Sequence, residues 1–355
     1  MGLSDWLAAR AVRATRVLLV ECPGTWVWRV ATERAVGQRG WRLAQSPATA
    51  DVLAVVGRPT GELAEVVDRL WNAMPGPRVR VDIRSESHVP SALEDAARHL
   101  MDSRAQAEDA ATRADPNPSA EEVHGGMDHE GMDHEGMDHG DMQMAPDGIP
   151  LAEGSEEDRD GLEMDALPVR LGPVLPHWPA GLVLDLMLHG DLVVDATATV
   201  VGSGVADGVG GDEVMPARAC DDVAALLDLA GWADGASSAR AARNALLDRR
   251  DGPAAGALTD LRRGITASRL LRWSLRGVAT ITDEEVLELG LPRTLAGDCL
   301  DRLRALLDLA EGAGSAPVPV SALGPLVIGH DLAVARLLVA SLGSGVTTAR
   351  VSPRA

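Results

Sequence analysis

The chain of 355 residues contains no phenylalanine, no tyrosine and no lysine, so all 33 basic side chains are arginine and tryptophan is the only aromatic residue. Hydrophobic residues still make up 46% of the sequence, which is enough to build cores. Leucine, valine, alanine and eight tryptophans must fill those cores without the contact area that Phe and Tyr usually add. The absence of Tyr also excludes any site that depends on a phenolic side chain.

Cysteine is scarce, because only Cys22, Cys220 and Cys299 occur. Their odd number and wide spacing exclude a disulfide framework, and this favours the cytoplasm. No C-x-x-C pair is present, so a zinc or iron–sulphur site would need ligands from three distant segments. We therefore expect three buried structural thiols and no iron–sulphur cluster.

Long apolar runs are also missing. Asp5, Arg10, Arg13 and Arg16 interrupt the N-terminal stretch, so it does not resemble a signal peptide. No later segment reaches the roughly 18 uninterrupted apolar residues of a membrane-spanning helix. We expect no direct membrane span, and a partner would have to supply any membrane contact.

The formal charge of −20 is concentrated in one stretch. Residues 102–165 hold 20 acidic side chains against three arginines, and the remainder of the chain is nearly neutral. Neither flanking part has the excess of positive charge that would replace counterions on a phosphate backbone. Nucleic-acid binding is therefore not expected.

Residues 1–101 alternate between apolar strand-like runs and helical patterns. RVLLVE, DVLAVVG and RVRVDI predict strands. In the segment between the last two, Leu63, Val66, Val67 and Leu70 recur at helical spacing on one face. This order predicts an α/β N-terminal domain with βαβ units and a parallel sheet.

Residues 102–165 predict a disordered acidic linker, because Asp, Glu, Gly, Pro and Ser leave little apolar surface to bury. Within it a five-residue G-M-D-H-E repeat matches neither the helical nor the strand period. Imidazole and thioether ligands suit copper, and imidazole also accepts nickel or zinc. The candidate metal ligands are His124, Met127, His129, Met132, His134, Met137, His139, Met142 and Met144. The alternative is a soluble repeat that expanded under weak selection and has no metal role.

Residues 166–355 predict an α+β domain. GLVLDLML and DLVVDATATVV flank a short turn at Gly190, which indicates a β-hairpin. The chain after residue 215 has helical patterns, including a capping box at Thr282 and Glu285. The Gly-rich stretch 200–211 has Asp207 where a dinucleotide-binding loop needs its third glycine, so we interpret it as a flexible loop. No catalytic or cofactor-binding constellation can be selected from the sequence.

Residues 50–83 combine a strand with a following turn, a helix and a Met-Pro-x-Pro-Arg run, and the residues that form this pattern are Ala50, Asp51, Val52, Gly57, Met74, Pro75, Pro77 and Arg78. In this pattern they resemble the small iron–sulphur subunit of respiratory complex I and of energy-converting [NiFe] hydrogenases. The family holds its cluster on four cysteines. Here VECPG keeps only Cys22, and RSESHV offers Ser85 and Ser87 but no thiol. The resemblance thus implies the fold without the cluster.

Residues 171–194 are similar, more faintly, to the start of the large subunit of the same complexes. The approximate counterparts are Gly172, Pro173, His177, Pro179, Gly190 and Asp191. That subunit lines a quinone cavity with His and Tyr or carries nickel on two Cys-x-x-Cys pairs, and this chain has neither Tyr nor such pairs.

The resemblance implies a degenerate fusion of the two subunits and a non-catalytic accessory role in a complex I-like or hydrogenase-like membrane oxidoreductase. Other subunits of that assembly are the implied partners, and they would bring the chain to the inner face of the cell membrane. Two alternatives stay open. One is a metal-handling protein that binds copper or nickel through the linker, and the other is an electron-transfer subunit of the NADH–quinone oxidoreductase type.

Overall fold

The computed structural model describes residues 14–113, 166–202, 214–314 and 317–343, together with the backbone of three two-residue strands. The chain forms an N-terminal part with a parallel sheet and a C-terminal part with an antiparallel sheet followed by helices. This agrees with the fold class predicted from the sequence.

The N-terminal part contains a parallel sheet and four helices. Its elements in chain order are β1 (Arg16–Glu21), α1 (Trp26–Gln38), β2 (Arg42–Leu43), β3 (Val52–Val56), α2 (Glu62–Ala73), β4 (Val79–Ile83), α3 (Val89–Met101) and α4 (Ser103–Thr112). The four strands are all parallel and lie in the order β2-β1-β3-β4. The three predicted strands are confirmed, and so is the helix between the last two.

Helices cover both faces of this sheet. All five residues of β3 are buried, as the continuous apolar run VLAVV requires of a central parallel strand. One face packs against α1 and α3 through a cluster that includes Val36 and Leu93. The other face packs against α2 through Leu63 and Val67.

The Met-Pro-x-Pro-Arg run has a structural role. Arg78 is buried, its guanidinium lies 4.1 Å from the centre of the Trp71 ring, and it donates two hydrogen bonds of 3.1 Å to the Asp109 carboxylate. Gln106 also bonds both backbone groups of Arg78. These contacts attach α4 to the sheet. Residues 103–112 form this helix, which corrects the expectation that the linker begins at residue 102.

The C-terminal part begins with an antiparallel sheet of three strands, β7 (Ala166–Leu171), β8 (Leu182–His189) and β9 (Leu192–Val200), in the order β7-β8-β9. Two short strands precede this sheet in the chain, β5 (Glu156–Glu157) and β6 (Glu163–Met164). The predicted hairpin is confirmed, with Gly190 at positive φ in its turn.

Helices make up most of the remaining C-terminal part. They are α5 (Met215–Leu229), α6 (Ala233–Leu247), α7 (Asp251–Ala267), α8 (Arg269–Leu275), α9 (Asp283–Glu288), α10 (Cys299–Ala310), α11 (Leu323–Val327) and α12 (Leu332–Leu342). Two short strands, β10 (Val318–Pro319) and β11 (Val346–Thr347), pair in parallel. One core of Leu, Val and Ala, with Cys220 and Cys299, joins these helices to β8 and β9.

The helix caps show why some predicted boundaries hold and one does not. Thr282 and Glu285 form the predicted capping box of α9, and Gly290 follows the helix at positive φ. Residues 257–278 form one continuous helical pattern in the sequence, but Ser268 caps a new helix by accepting a hydrogen bond from the Leu271 amide. That pattern is therefore divided into α7 and α8.

Within the described ranges, no helix combines the length and the apolar character that crossing a bilayer requires. The predicted disorder of residues 114–155 and the Gly-rich loop after residue 202 lie outside the described residues.

Candidate functional site

The carboxyl ends of β1 and β3 form the place where a parallel α/β sheet usually binds a ligand. The chain leaves β1 toward β2 on one side and continues from β3 to β4 on the other, which makes this a topological switch point. Here the hydroxyl of Thr25 donates to the carbonyls of Cys22 and Val56, at 2.8 and 3.0 Å. The turn after β1 is thereby tied to the end of β3.

Gly57 lets the two strand ends approach closely. Its φ is +100°, and a Cβ at this position would lie 2.8 Å from the Cβ of Cys22 and 2.8 Å from Cγ2 of Thr25. Gly is required here both by the backbone conformation and by the space. Burial, together with the charge of Glu21, raises the pKa of the Cys22 thiol to about 12. The thiol is thus held in its protonated, unreactive form.

Residues of the C-terminal part fill the crevice beside these strand ends. Gly181 lies against Pro23, where an added Cβ would come within 2.6 Å of the proline Cγ. Gly202 lies equally close to Leu63. Val174 and Val201 pack on the apolar cluster that contains Cys22. The space that commonly holds a ligand in such sheets is occupied by the protein itself.

A charged cluster joins the two parts next to this crevice. We call it the junction cluster, and it consists of Glu21, Arg29, Glu33, Asp221 and Arg243. Arg29 is its centre, with Nε 3.1 Å from Oε2 of Glu21 and Nη1 2.7 Å from Oε2 of Glu33. Its other terminal nitrogen donates to the carboxylate of Asp221 on α5. Helix α1 and helix α5 are thereby connected through one guanidinium.

Arg243 on α6 completes the junction cluster and is only 1% exposed. Its two terminal nitrogens lie 3.1 and 3.2 Å from the two carboxylate oxygens of Glu33, and it also donates to Asp221. The indole Nε1 of Trp26 donates to Asp221 at 2.9 Å. Because bidentate and charge-assisted hydrogen bonds need well-defined geometry, this arrangement fixes the relative position of α1, α5 and α6.

Asp221 and Glu21, two acids of the junction cluster, have pKa values shifted in opposite directions. Burial acts to raise the pKa of Asp221, but Arg29 and Arg243 outweigh it and hold that pKa well below its usual range. For Glu21, burial outweighs the attraction of Arg29 and Arg218, so its pKa is raised. Asp221 is thus firmly ionised, while Glu21 accepts a proton more readily than an exposed glutamate would.

His177 lies at the edge of the same region. Its Nδ1 is 3.7 Å from Oδ2 of Asp228, and the side chain of Arg240 donates to that carboxylate. Burial lowers the pKa of His177 despite the nearby acid, and Arg240 and Arg336 act in the same direction. A neutral imidazole beside an ion pair could accept or donate a hydrogen bond, but it carries no charge at neutral pH.

The donor set does not fit a cluster held by four cysteines. Cys22 lies in the apolar cluster of the N-terminal part, whereas Cys220 and Cys299 lie in the core of the C-terminal part. The hydroxyls of Ser85 and Ser87 are 3.0 Å apart and bond to each other. Burial raises the pKa of Cys220 to about 12 and that of Cys299 as well.

The candidate metal ligands of the linker, from His124 to Met144, all lie outside the described residues. In the part of the chain that the structure does describe, no three or more His, Cys, Asp or Glu side chains are grouped so that they could hold a metal ion.

The junction cluster has little signature in the sequence. Arg29 and Glu33 are spaced as an i,i+4 pair on a helix, but their partners on α5 and α6 follow about 190 to 210 positions later.

Neither the protein-family models nor the curated protein sequences compared with this chain provide a match.

Proposed function

We propose that the chain is a non-catalytic accessory subunit of a membrane-bound oxidoreductase assembly of the complex I or [NiFe] hydrogenase kind. The proposal starts from the resemblance of residues 50–83 and 171–194 to the small and large subunits of those complexes. In such an assembly the chain would supply a fixed pair of folded parts that other subunits bind. It would carry no electrons itself.

The junction cluster is the observation that carries this proposal. It joins the carboxyl end of the parallel sheet to α5 and α6 through buried ion pairs, beside a crevice that is already filled. Buried ion pairs are weak evidence for stability but can select one relative arrangement of the elements they connect. A chain that holds two parts in one arrangement is suited to a scaffold.

The thiols support the same interpretation. All three are buried, and burial raises the pKa of each, including Cys299, whose sulfur accepts a hydrogen bond from Arg302 at 3.5 Å. Cluster ligands and redox nucleophiles need thiolate, which such surroundings disfavour. The N-terminal part has a parallel sheet with helices on both faces, and the crevice beside its strand ends offers only Cys22 where the resembling family uses four cysteines.

The test is recovery of partners from native membranes. The full chain, tagged in its own cells, is isolated after mild detergent extraction, and the bound proteins are identified by mass spectrometry. We expect subunits of one oxidoreductase to be enriched. The Asp221→Asn, Arg243→Gln double variant should lose them, whereas Arg34→Gln, which removes an exposed ion pair with Asp248 at the same junction, should keep them. Recovery of the native chain without any oxidoreductase subunit would refute the proposal.

A second candidate function is metal handling through the linker. It is motivated by the regular recurrence of His124, His129, His134 and His139 with interleaved methionines. Replacing the four histidines with Ser and measuring cellular copper and nickel bound to the purified chain tests it. If bound metal and partner activity are unchanged, the repeat is only a connector.

A further inference from the structure

Helix α8 presents a basic and apolar surface that neither proposed function uses. The α8 surface consists of Arg269, Leu270, Arg272, Trp273 and Arg276. Leu271 and Leu275 face the core, whereas Leu270 is 73% exposed and Trp273 is 78% exposed. Both are among the most exposed large hydrophobic side chains of the described residues, and they lie three positions apart on one face of the helix.

The arginines of this surface differ from most others in the chain. Within the described ranges neither Arg269 nor Arg276 forms an ion pair, and the side chain of Arg272 donates only to the carbonyl of Ser268, at 3.3 Å. Residues 261–282 contain five arginines and no acid, in a chain whose formal charge is −20. The α8 surface is therefore a local site of uncompensated positive charge.

The shape of the surface indicates the kind of partner. Arg269, Arg272, Trp273 and Arg276 line an open recess, and all four come from this one helix and its C-terminal end. A single convex helix cannot enclose a small ligand, which usually requires a concave pocket built from several elements. A broad, flat partner can instead contact the whole face at once.

We propose that the α8 surface binds the surface of an anionic phospholipid bilayer. Trp is favoured at the boundary between lipid headgroups and acyl chains, where its ring is apolar and its N–H meets water. Leu270, beside it, would enter the same boundary, and the three arginines would bind lipid phosphates. This contact is made by the chain itself, so it does not depend on the proposed oxidoreductase partners.

An acidic protein partner would also be attracted by the three arginines. To accept Leu270 and Trp273 together with the arginines, such a partner would need an apolar groove rimmed by acids, whereas an anionic bilayer offers both features at any point of its surface. The combination of Arg, Trp and Leu on one face favours the bilayer.

The experiment is co-sedimentation of the full chain with phosphatidylcholine vesicles, with and without phosphatidylglycerol. We expect binding only when phosphatidylglycerol is present, and release at high salt. Each Arg→Gln change in the α8 surface should weaken binding by about five-fold, so the triple variant should lose about a hundred-fold. Leu270→Ser and Trp273→Ser should each weaken binding further at constant charge.

Matched controls separate the surface from net charge and from folding. Replacing Arg98, Arg104 and Arg250 with Gln removes the same charge from exposed positions on other helices or their ends and should leave binding unchanged. Leu287→Ser changes an equally exposed leucine on α9. Equal binding to neutral vesicles, or equal binding by the α8 and control variants, would overturn the proposal. So would an α8 triple variant that loses binding to polyglutamate but not to vesicles.

Discussion

Arg243 and Glu33 stand 210 positions apart in the chain, yet two hydrogen bonds of 3.1 and 3.2 Å connect the guanidinium of one to the carboxylate of the other. Because Arg243 is almost fully buried, these bonds lie where water cannot replace them. The two folded parts are therefore connected by buried hydrogen bonds, in addition to the packing of their surfaces against each other. Several measurable properties depend on it.

Removing Arg243 should destabilise the whole chain. In Arg243→Met, the carboxylates of Glu33 and Asp221 lose their shared buried partner, and we expect a loss of about 3–5 kcal/mol in the free energy of unfolding. Arg34→Met is the control, because its ion pair with Asp248 is more exposed and should contribute only about 0–1 kcal/mol. Denaturant unfolding measures both, and similar losses in the two variants would contradict the structure.

The charge of Asp221 should stabilise the fold at neutral pH. Its pKa is held below the usual value in the folded chain, so its contribution is present above the pKa of the unfolded chain, about 3.9. The contribution is lost as the pH falls from there through the lower folded-state pKa. We expect Asp221→Asn to be clearly less stable than the wild type at pH 7 and to approach it under strongly acidic conditions. A difference that does not vary with pH would argue against this assignment.

Glu21 should behave in the opposite way. Burial raises its pKa in the folded chain, so its favourable contribution is present below the pKa of the unfolded chain, about 4.3, and is lost as the pH rises through the folded-state value. Glu21→Gln removes the cost of burying that charge. Thermal unfolding as a function of pH should show the variant gaining stability relative to the wild type as the pH increases. A variant that loses stability over that range would show that the ion pair with Arg29 outweighs burial.

Asp109 should determine how strongly the backbone amides of α4 are protected from hydrogen exchange. In Asp109→Asn the charged partner of Arg78 is removed, and hydrogen bonds to charged groups contribute about 1.5–3 kcal/mol. We expect the amides of residues 103–112 to exchange hydrogen faster while the strands stay protected. Glu108→Gln, on the same helix, removes an exposed pair with Arg104 and should change little. Equal acceleration in both variants would mean that α4 is not attached through Arg78.

The three thiols should be unreactive in the folded chain. Cys22 and Cys220 have pKa values raised to about 12, and Cys299 is also buried with a raised pKa, so thiolate is scarce at pH 8. A thiol reagent that gives a coloured product should report three groups only after denaturation. Rapid labelling of a native thiol would show that the core around it opens.

The parts of the fold that depend on local patterns could be predicted. Short segments of the sequence determine three of these features. They are the buried run of β3, the helical spacing of Leu63, Val66 and Val67, and the hairpin around Gly190. Helix α4 was missed because no residue of it is buried and its sequence of small and polar residues has no apolar face. Its attachment through Asp109 to Arg78 depends on a contact 31 positions away.

The junction cluster could not be predicted for a related reason. Asp221 and Arg243 have no unusual spacing within α5 or α6, and an acid or an arginine on a helix usually faces water. Only the packing of those helices against α1 brings them to Arg29 and Glu33. The filled crevice has the same origin, since Gly181 and Gly202 meet Pro23 and Leu63 across the long middle of the chain.

The separation of Arg29 and Glu33 from Arg243 also sets an order of events during synthesis on the ribosome. Helix α1 emerges first, and its charged side chains must stay hydrated until α6 has been made, roughly 10–40 s later at ordinary translation rates. The N-terminal sheet, whose four strands end at residue 83, is therefore made long before the last charged partner of α1, and a ribosome that stalls before residue 243 would leave Glu33 without Arg243.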